Sequence, residues 1–338
     1  MALLIRGPRS GDGEALASLW RELWDAHERW GGYPGTQDDA AYQAVAQRLE
    51  DDIYWRQGAS TSGRHLHLVA EDRGEVVGQV EGWMDRYGVL LSTLDTCEVR
   101  SLIVRHDARG TGAGQALLGE LGRAAFEWSR RRGVVLAAEV LERNPASAFY
   151  DRVGYEALTW SLRVDLPVSV RLDSRFRARQ AHPRDAFDLA RLDGLLAERR
   201  RTMRDTRYDP PRSVDAAHVE SIAAYLEQPS PGATDIVVIG ERSRVCASAT
   251  VSVSFLEAPF LPQRRATLSR FAFDPELDID VLMAALVKGA GDRALALAAG
   301  TLELVDLSAP GTPLHRATST IGGREWSRVF ARVIRAAS

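Results

Sequence analysis

The residues with the clearest chemical spacing are Arg109, Gly110, Thr111, Gly112, Ala113 and Gly114. Closely spaced glycines let backbone N–H groups converge on a ligand with no Cβ in the way. An apolar helical pattern opens directly after them, through Leu117, Leu118, Leu121, Ala125 and Trp128. The first N–H groups of such a helix lack intrahelical partners and carry partial positive charge. Before the turn, Val99, Leu102, Ile103 and Val104 read as part of a buried strand over 97–104. Strand, glycine turn and helix N-terminus in that order make an anion cradle, most often for phosphate. The bland alternative is an ordinary tight connection.

The spacing excludes the two common nucleotide loops. No Lys-Ser or Lys-Thr pair follows the last glycine, and the glycines do not follow the dinucleotide pattern G-x-G-x-x-G. Arg109, Gly112 and Gly114 do resemble the acetyl-CoA loop of the GNAT acetyltransferase superfamily, Arg/Gln-x-x-Gly-x-Gly/Ala. Downstream, 134–140 reads as a second buried strand. Asn144, Ala146, Phe149, Tyr150, Gly154 and Tyr155 then resemble that family's other signature, an Asn-Ala-Phe-Tyr-Gly series ending in an aromatic.

The resemblance implies direct transfer of an acetyl group from acetyl-CoA to an amine within a ternary complex, with no metal. Backbone amides of 110–114 would then hold the CoA pyrophosphate, with Arg109, Thr111 and Ala113 in the same turn. Backbone of Leu102, Ile103 and Val104 would pair with the pantetheine arm, and Asn144, Ala146 and Phe149 would lie along the CoA. An alkyl ammonium titrates near ~10 and must lose a proton before it attacks. Glu98 is the candidate base, and Glu139, on the neighbouring strand, is the fallback. Glu98 is equally suited to a salt bridge with Arg100. Tyr150 is the candidate acid for the leaving thiolate, since a phenol with a pKa of about 10 stays protonated at neutral pH; its other reading is a packed aromatic. Asn144 is also placed to cap the following helix.

The 338 residues are 45% hydrophobic and 26% charged, a globular composition long enough for two domains. A net charge of −3 argues against bulk binding to nucleic acid or anionic membrane. Cys97 and Cys246 sit in apolar, strand-like runs and read as buried thiols, not as a disulfide framework or metal site. The histidines show no metal-ligand spacing; His65 and His67 share one strand face with no acidic partner in view. The opening Met1-Ala2-Leu3-Leu4-Ile5-Arg6 is too short for a secretory core, and no run approaches a transmembrane span. A cytoplasmic protein is expected.

In chain order, a short strand at 3–6 precedes a helix over 14–27, for which Asp12 is the expected N-cap. Its Leu16, Leu19, Trp20, Leu23 and Trp24 fall at helical spacing. A turn-rich loop over 30–35 leads to a helix over 40–49. The family resemblance makes this region part of the acceptor pocket, so Asp25, Glu28, Asp38 and Asp39 are candidates to meet a cationic amine, as are Asp85 and Asp95. Strands follow at 65–70 and 76–85, and a last strand at 158–164 closes an α+β fold over a mixed sheet.

The second half repeats the first. Arg6 lines up with Arg179, Asp12 with Asp185 and Leu16 with Leu189 in one register; Leu68 lines up with Val237, Pro145 with Pro313 and Gly154 with Gly322. The expected organisation is a tandem GNAT fold. Residues 1–166 would be the catalytic copy and 174–338 a degenerate, structural or acceptor-shaping copy, each a mixed, mostly antiparallel sheet flanked by helices. In the second copy Arg109 is replaced by Asp278, Gly112 by Val281, Glu98 by Thr267 and Tyr150 by Thr318. The expected function is acetyl-CoA-dependent N-acetylation of a small, cationic amine by a monomer, a pseudo-dimer of two GNAT folds. A non-catalytic acyl-CoA-binding or scaffold protein is the alternative.

Overall fold

The computed structural model describes residues 3–32, 39–58, 65–85, 94–130, 133–203, 214–228, 233–240, 244–256, 263–307 and 309–335. The first half runs β1 (Leu4–Arg6), α1 (Gly13–Arg29), α2 (Asp39–Gly58), β2 (His65–Asp72), β3 (Glu75–Asp85), β4 (Asp95–Val104), α3 (Ala113–Trp128), β5 (Val134–Leu141), α4 (Ser147–Arg152) and β6 (Glu156–Asp165). The second half repeats that order. It runs β7 (Arg177–Gln180), α5 (Ala186–Thr202), α6 (Ala216–Glu227), β8 (Ala233–Ile239), β9 (Val245–Leu256), β10 (Gln263–Phe273), α7 (Ile279–Ala296), β11 (Thr301–Leu307), α8 (Pro313–Thr320) and β12 (Arg324–Ile334). Among the described residues no helix is long and apolar enough to cross a membrane.

All the strands join one mixed sheet, in the order β1-β2-β3-β4-β5-β12-β6-β11-β10-β9-β8-β7. The β4–β5 and β10–β11 pairs are parallel, and the other neighbours are antiparallel. The order is symmetric about its centre if β1–β6 is mapped onto β7–β12. The expected closing strand does not lie beside β5. β12 does, along the whole length of β5 from Ser327↔Leu141 to Ile334↔Val134, while β6 pairs with β11. The two halves have exchanged their last strands.

Two-residue periodicity puts α1 and α3 on opposite faces. Val69 packs with Leu16 and Leu19 of α1, and the next residue, Ala70, packs with the core under α3. In β5, Val134, Leu136, Ala138 and Val140 face α3, which turns Glu139 toward the α1 side. Strand exchange carries side chains into the opposite core. Phe330 of β12 is 2% exposed among the residues under α3, and Leu162 of β6 is fully buried with those under α7. Burying either side chain contributes about 1.5–3 kcal/mol.

The internal repeat is visible in its bonding. Arg6 holds Asp12 with two hydrogen bonds of 2.6 and 3.0 Å, and Arg179 holds Asp185 with two of 2.7 and 2.8 Å. Each carboxylate also takes a backbone N–H, from Arg9 and His182, at 2.8 Å. Asp12 precedes α1 as expected but does not cap it, because its carboxylate is committed to Arg6 and Arg9. Glu50, from α2, supplies the missing acceptor to the N–H groups of Gly11 and Gly13, at 2.7 and 3.0 Å. Ser101 and Arg270, equivalent residues in β4 and β10, both have left-handed backbone, with φ of +55° and +59°. Each sits beside a break in ladder register, so both halves keep the same bulge.

Candidate active site

β4 and β5 run together only from Asp95↔Val134 to Val99↔Ala138 and then part. The other edge of β4 stays on β3, through Ile103↔Gln79 and Val104↔Gly78. A cavity of about 1260 Å³ opens in the wedge and extends from the glycine turn to α1. Leu102, Ile103 and Val104 line it, on a stretch of β4 that β5 does not pair.

The turn has the geometry of an anion cradle. Gly110 and Gly112 have φ of +82° and +91°, and Gly112 is the N-cap of α3. Among the described residues, no N–H from 110 to 115 donates to a protein acceptor; the first helical bond runs from Ala116 N–H to the Gly112 carbonyl. Arg109 fastens the turn: its Nε donates to the Val104 carbonyl at 3.0 Å, and its guanidinium also pairs with Glu22 of α1. Gly110, Gly112, Ala113 and Gly114 all line the cavity. Thr111 does not, and its hydroxyl folds back onto the Ala108 carbonyl at 2.8 Å. An external pyrophosphate fits such a set of unpaired amides. The equivalent turn of the second half has satisfied itself. Asp278 precedes α7 in extended backbone, and its carboxylate accepts from the Asp280 N–H at 2.9 Å.

The remaining expected residues separate into two groups. Ala146, Phe149 and Tyr150 line the cavity. Tyr150 is buried against Phe330, with ring centroids 5.7 Å apart, so the exchanged strand forms the seat of this phenol. Burial raises its pKa above the ordinary tyrosine value. Asn144 also lines the cavity but does not cap α4. Its side chain accepts from the Ala146 N–H at 2.9 Å, an Asx turn that ends before the helix begins.

Both candidate bases reach the cavity, in unlike surroundings. Glu98 is exposed and pairs with Arg100 at 2.7 Å. Glu139 is enclosed by protein yet keeps an open surface, which the cavity supplies. Burial raises its pKa, the Ser327 hydroxyl opposes that by donating a hydrogen bond, Glu303 and Glu98 push it further up, and Arg265 pulls it down.

The acidic residues assigned to the acceptor fall elsewhere. Asp25 and Glu28 lie outside the cavity wall, because α1 turns Trp20, Leu23, Trp24 and His27 to it. Asp39 is exposed and paired with Arg21 at 2.8 Å, and Asp95 is buried at the start of β4. Asp38 and the Asp85 side chain, with residues 33–38 and 86–93, lie outside the described residues. Glu22, Glu81, Glu98 and Glu139 supply the cavity's carboxylates instead.

Glu81 is the acidic partner that His65 and His67 lacked on paper. His67 stands directly opposite it in the β2–β3 hairpin. Glu81 is bonded to His65 Nε2 at 3.1 Å and accepts from the Ser101 hydroxyl at 2.9 Å. Burial pushes Glu81 up, but the bond to His65 and the charge of His67 outweigh it and leave its pKa below the usual carboxylate value. Two histidines on one strand face, a Gly74 turn and a glutamate at matching distance were the available signal. His27, also on the cavity wall, is held neutral by burial and by Arg265, its pKa lowered to about 4. From the second half, Arg265 and Trp326 also line the cavity. Nothing local in the sequence marked them, since Trp326 arrives on the exchanged strand β12 and Arg265 on β10 of the other half. The two cysteines are free and buried as expected, with Cys97 raised to about 12 by burial. No metal-binding cluster occurs among the described residues.

Residues 63–157 match the family model described as an acetyltransferase (GNAT) domain. No curated protein matches the chain in sequence. Among solved structures, the chain is similar to a GCN5-related N-acetyltransferase from Sphaerobacter thermophilus. The identity is 14%, the TM-score is 0.57, and the match covers 99% of this chain and 97% of that one. It is also similar to a tandem GNAT protein from the clavulanic acid biosynthesis pathway, at 15% identity and a TM-score of 0.55, over 100% of this chain and 99% of that one. At these identities the likeness is one of fold. Residues 63–157 are thus a GNAT acetyltransferase domain, set within a chain that has the tandem GNAT fold across both halves.

Proposed function

We propose that the protein transfers the acetyl group of acetyl-CoA to a primary amine of a small, cationic acceptor, using the first-half cavity alone. The observation that carries this reading is the convergence, in one cavity, of unpaired turn amides, an unpaired strand edge, an enclosed carboxylate and a buried phenol. The pyrophosphate lies on the amides of 110–115, and the pantetheine arm runs along 102–104 into the wedge. The acceptor enters from the α1 side, where tryptophans and carboxylates favour an ammonium group.

Glu139 takes one proton from the ammonium. The free amine attacks the thioester carbonyl, forming the C–N bond, and the C–S bond then breaks. Tyr150 gives its proton to the departing thiolate and is reprotonated as the tetrahedral nitrogen loses its second proton. One proton per turnover leaves to solvent through Glu139. Glu139 serves better than Glu98 because its raised pKa makes it the stronger base, while Glu98 is occupied by Arg100. The second half serves as scaffold and wall, so one chain binds one CoA and acts as a monomer, in the cytoplasm.

The test is thiol release from acetyl-CoA against a panel of diamines, amino sugars and amino acids. At least one amine should give saturable turnover that rises with pH through a limb above the usual carboxylate range. Glu139→Gln should lower kcat about 100-fold or more and abolish that limb. Wild-type turnover in Glu139→Gln would remove Glu139 from the reaction, and no turnover with any primary amine would remove the activity.

A further inference from the structure

We propose that Ser327, assisted by Arg265, is a positioning residue for Glu139: the second half of the chain sets the orientation and charge state of the first half's base. This rests on the reading of Glu139 given above. Ser327 belongs to β12, one step along the ladder face from Val329, which pairs with Glu139 itself. Its hydroxyl is buried and donates to Glu139 Oε1, and Glu139 itself lines the cavity. A carboxylate in a wedge between parting strands has little else to fix its rotamer, and a hydroxyl donor favours the ionised form.

Arg265 acts through space. It reaches the same cavity wall from β10 and is itself clamped on Glu303 by bonds of 2.8 and 2.9 Å. Arg163 of β6 holds the same Glu303 at 2.6 Å and lies over the Trp326 ring. The groups acting on Glu139 are therefore Ser327 from β12, Arg265 from β10, Glu303 from β11 and Glu98 from β4. Three of these four come from the second half. Glu303, like Glu98, opposes ionisation of Glu139, and the two arginines that flank Glu303 compensate its charge. The second half has no glycine turn of its own, yet it keeps a buried serine bonded to the first half's base and an arginine, Arg265, on the same cavity wall.

The experiment follows glutamate carboxyl resonances against pH in the full chain, labelled with ¹³C at the side-chain carboxyl and saturated with CoA. Glu139→Gln identifies the signal of Glu139. Ser327→Ala should move the Glu139 midpoint up by about one pH unit. Ser327→Thr should restore it, and Arg265→Gln should move it in the same direction by less. CoA affinity by calorimetry should stay within about twofold in all of them. An unmoved midpoint in Ser327→Ala overturns the proposal. So does a shift that Ser327→Thr fails to reverse, or one that comes with lost CoA binding, which is the mark of a merely structural role. If Ser327→Ala does not fold, Ser327→Cys, a weaker donor, takes its place with the same outcomes. The reading of Glu139 as base fails separately, by wild-type thiol release in Glu139→Gln.

Discussion

Tyr150 has two jobs at the scale of a single side chain, and they separate cleanly. Its ring packs against Phe330, Tyr155 and Phe149, while its hydroxyl is the proposed proton donor. Tyr150→Phe keeps the ring and deletes the donor. It should lower kcat about 100-fold with little change in thermal stability or CoA affinity. A variant with wild-type turnover would show that the thiolate leaves without this phenol. The place of Tyr150 beside Phe149 and Tyr155 was legible in the sequence because those contacts are local in the chain, whereas its contact with Phe330 was not. The proposed base was less legible. Glu98 has the expected place on β4, but a two-residue step along the strand brings Arg100 onto it, whereas the enclosure of Glu139 comes from residues nearly two hundred positions away. Glu81 fell between these cases: finding it needed only the hairpin register, which a one-residue bulge beside Ala70 displaces.

The glycine turn is the element on which the proposed CoA binding depends, and its weakness is conformational. A Cβ at Gly112 meets no atom within 4 Å, so crowding is not the obstacle. Its φ of +91° is one that a β-branched residue avoids. Gly112→Val should therefore swing the amides of the turn out of register and not merely block them. Losing two charge-assisted bonds at roughly 1.5–3 kcal/mol each weakens CoA by about 100-fold or beyond. Calorimetry with CoA reads this directly, and unchanged affinity would clear the turn of any binding role. The second half already carries Val281 at the matching position, where α7 begins in ordinary backbone under its own Asp278. This element could be read from sequence in full, because strand, turn and helix start are contiguous. The bulge at Ser101 could not: no glycine marks it, and Arg270 occupies the same left-handed backbone in the second half.

At the scale of the molecule, the repeat was legible through Arg6 and Arg179, Asp12 and Asp185, since each pair is local to its own half. Which half completes which sheet was not, because β5 meets β12 through residues whose pattern suits either neighbour. The exchange makes a fragment of residues 1–166 incomplete. β5 would present a bare edge, Tyr150 would lose Phe330 from its ring and Glu139 would lose Ser327. Such an edge recruits other chains. Light scattering should show the fragment self-associating, and calorimetry should show it failing to bind CoA. A monodisperse fragment that binds CoA as the full chain does would refute this dependence. A protein is made from its N-terminus, so the ribosome delivers turn, wedge, base and phenol long before it delivers β12. A chain broken off anywhere in the second half would carry every residue of the proposed chemistry and still be silent. The exchanged strand makes the proposed catalysis conditional on β12 having been made.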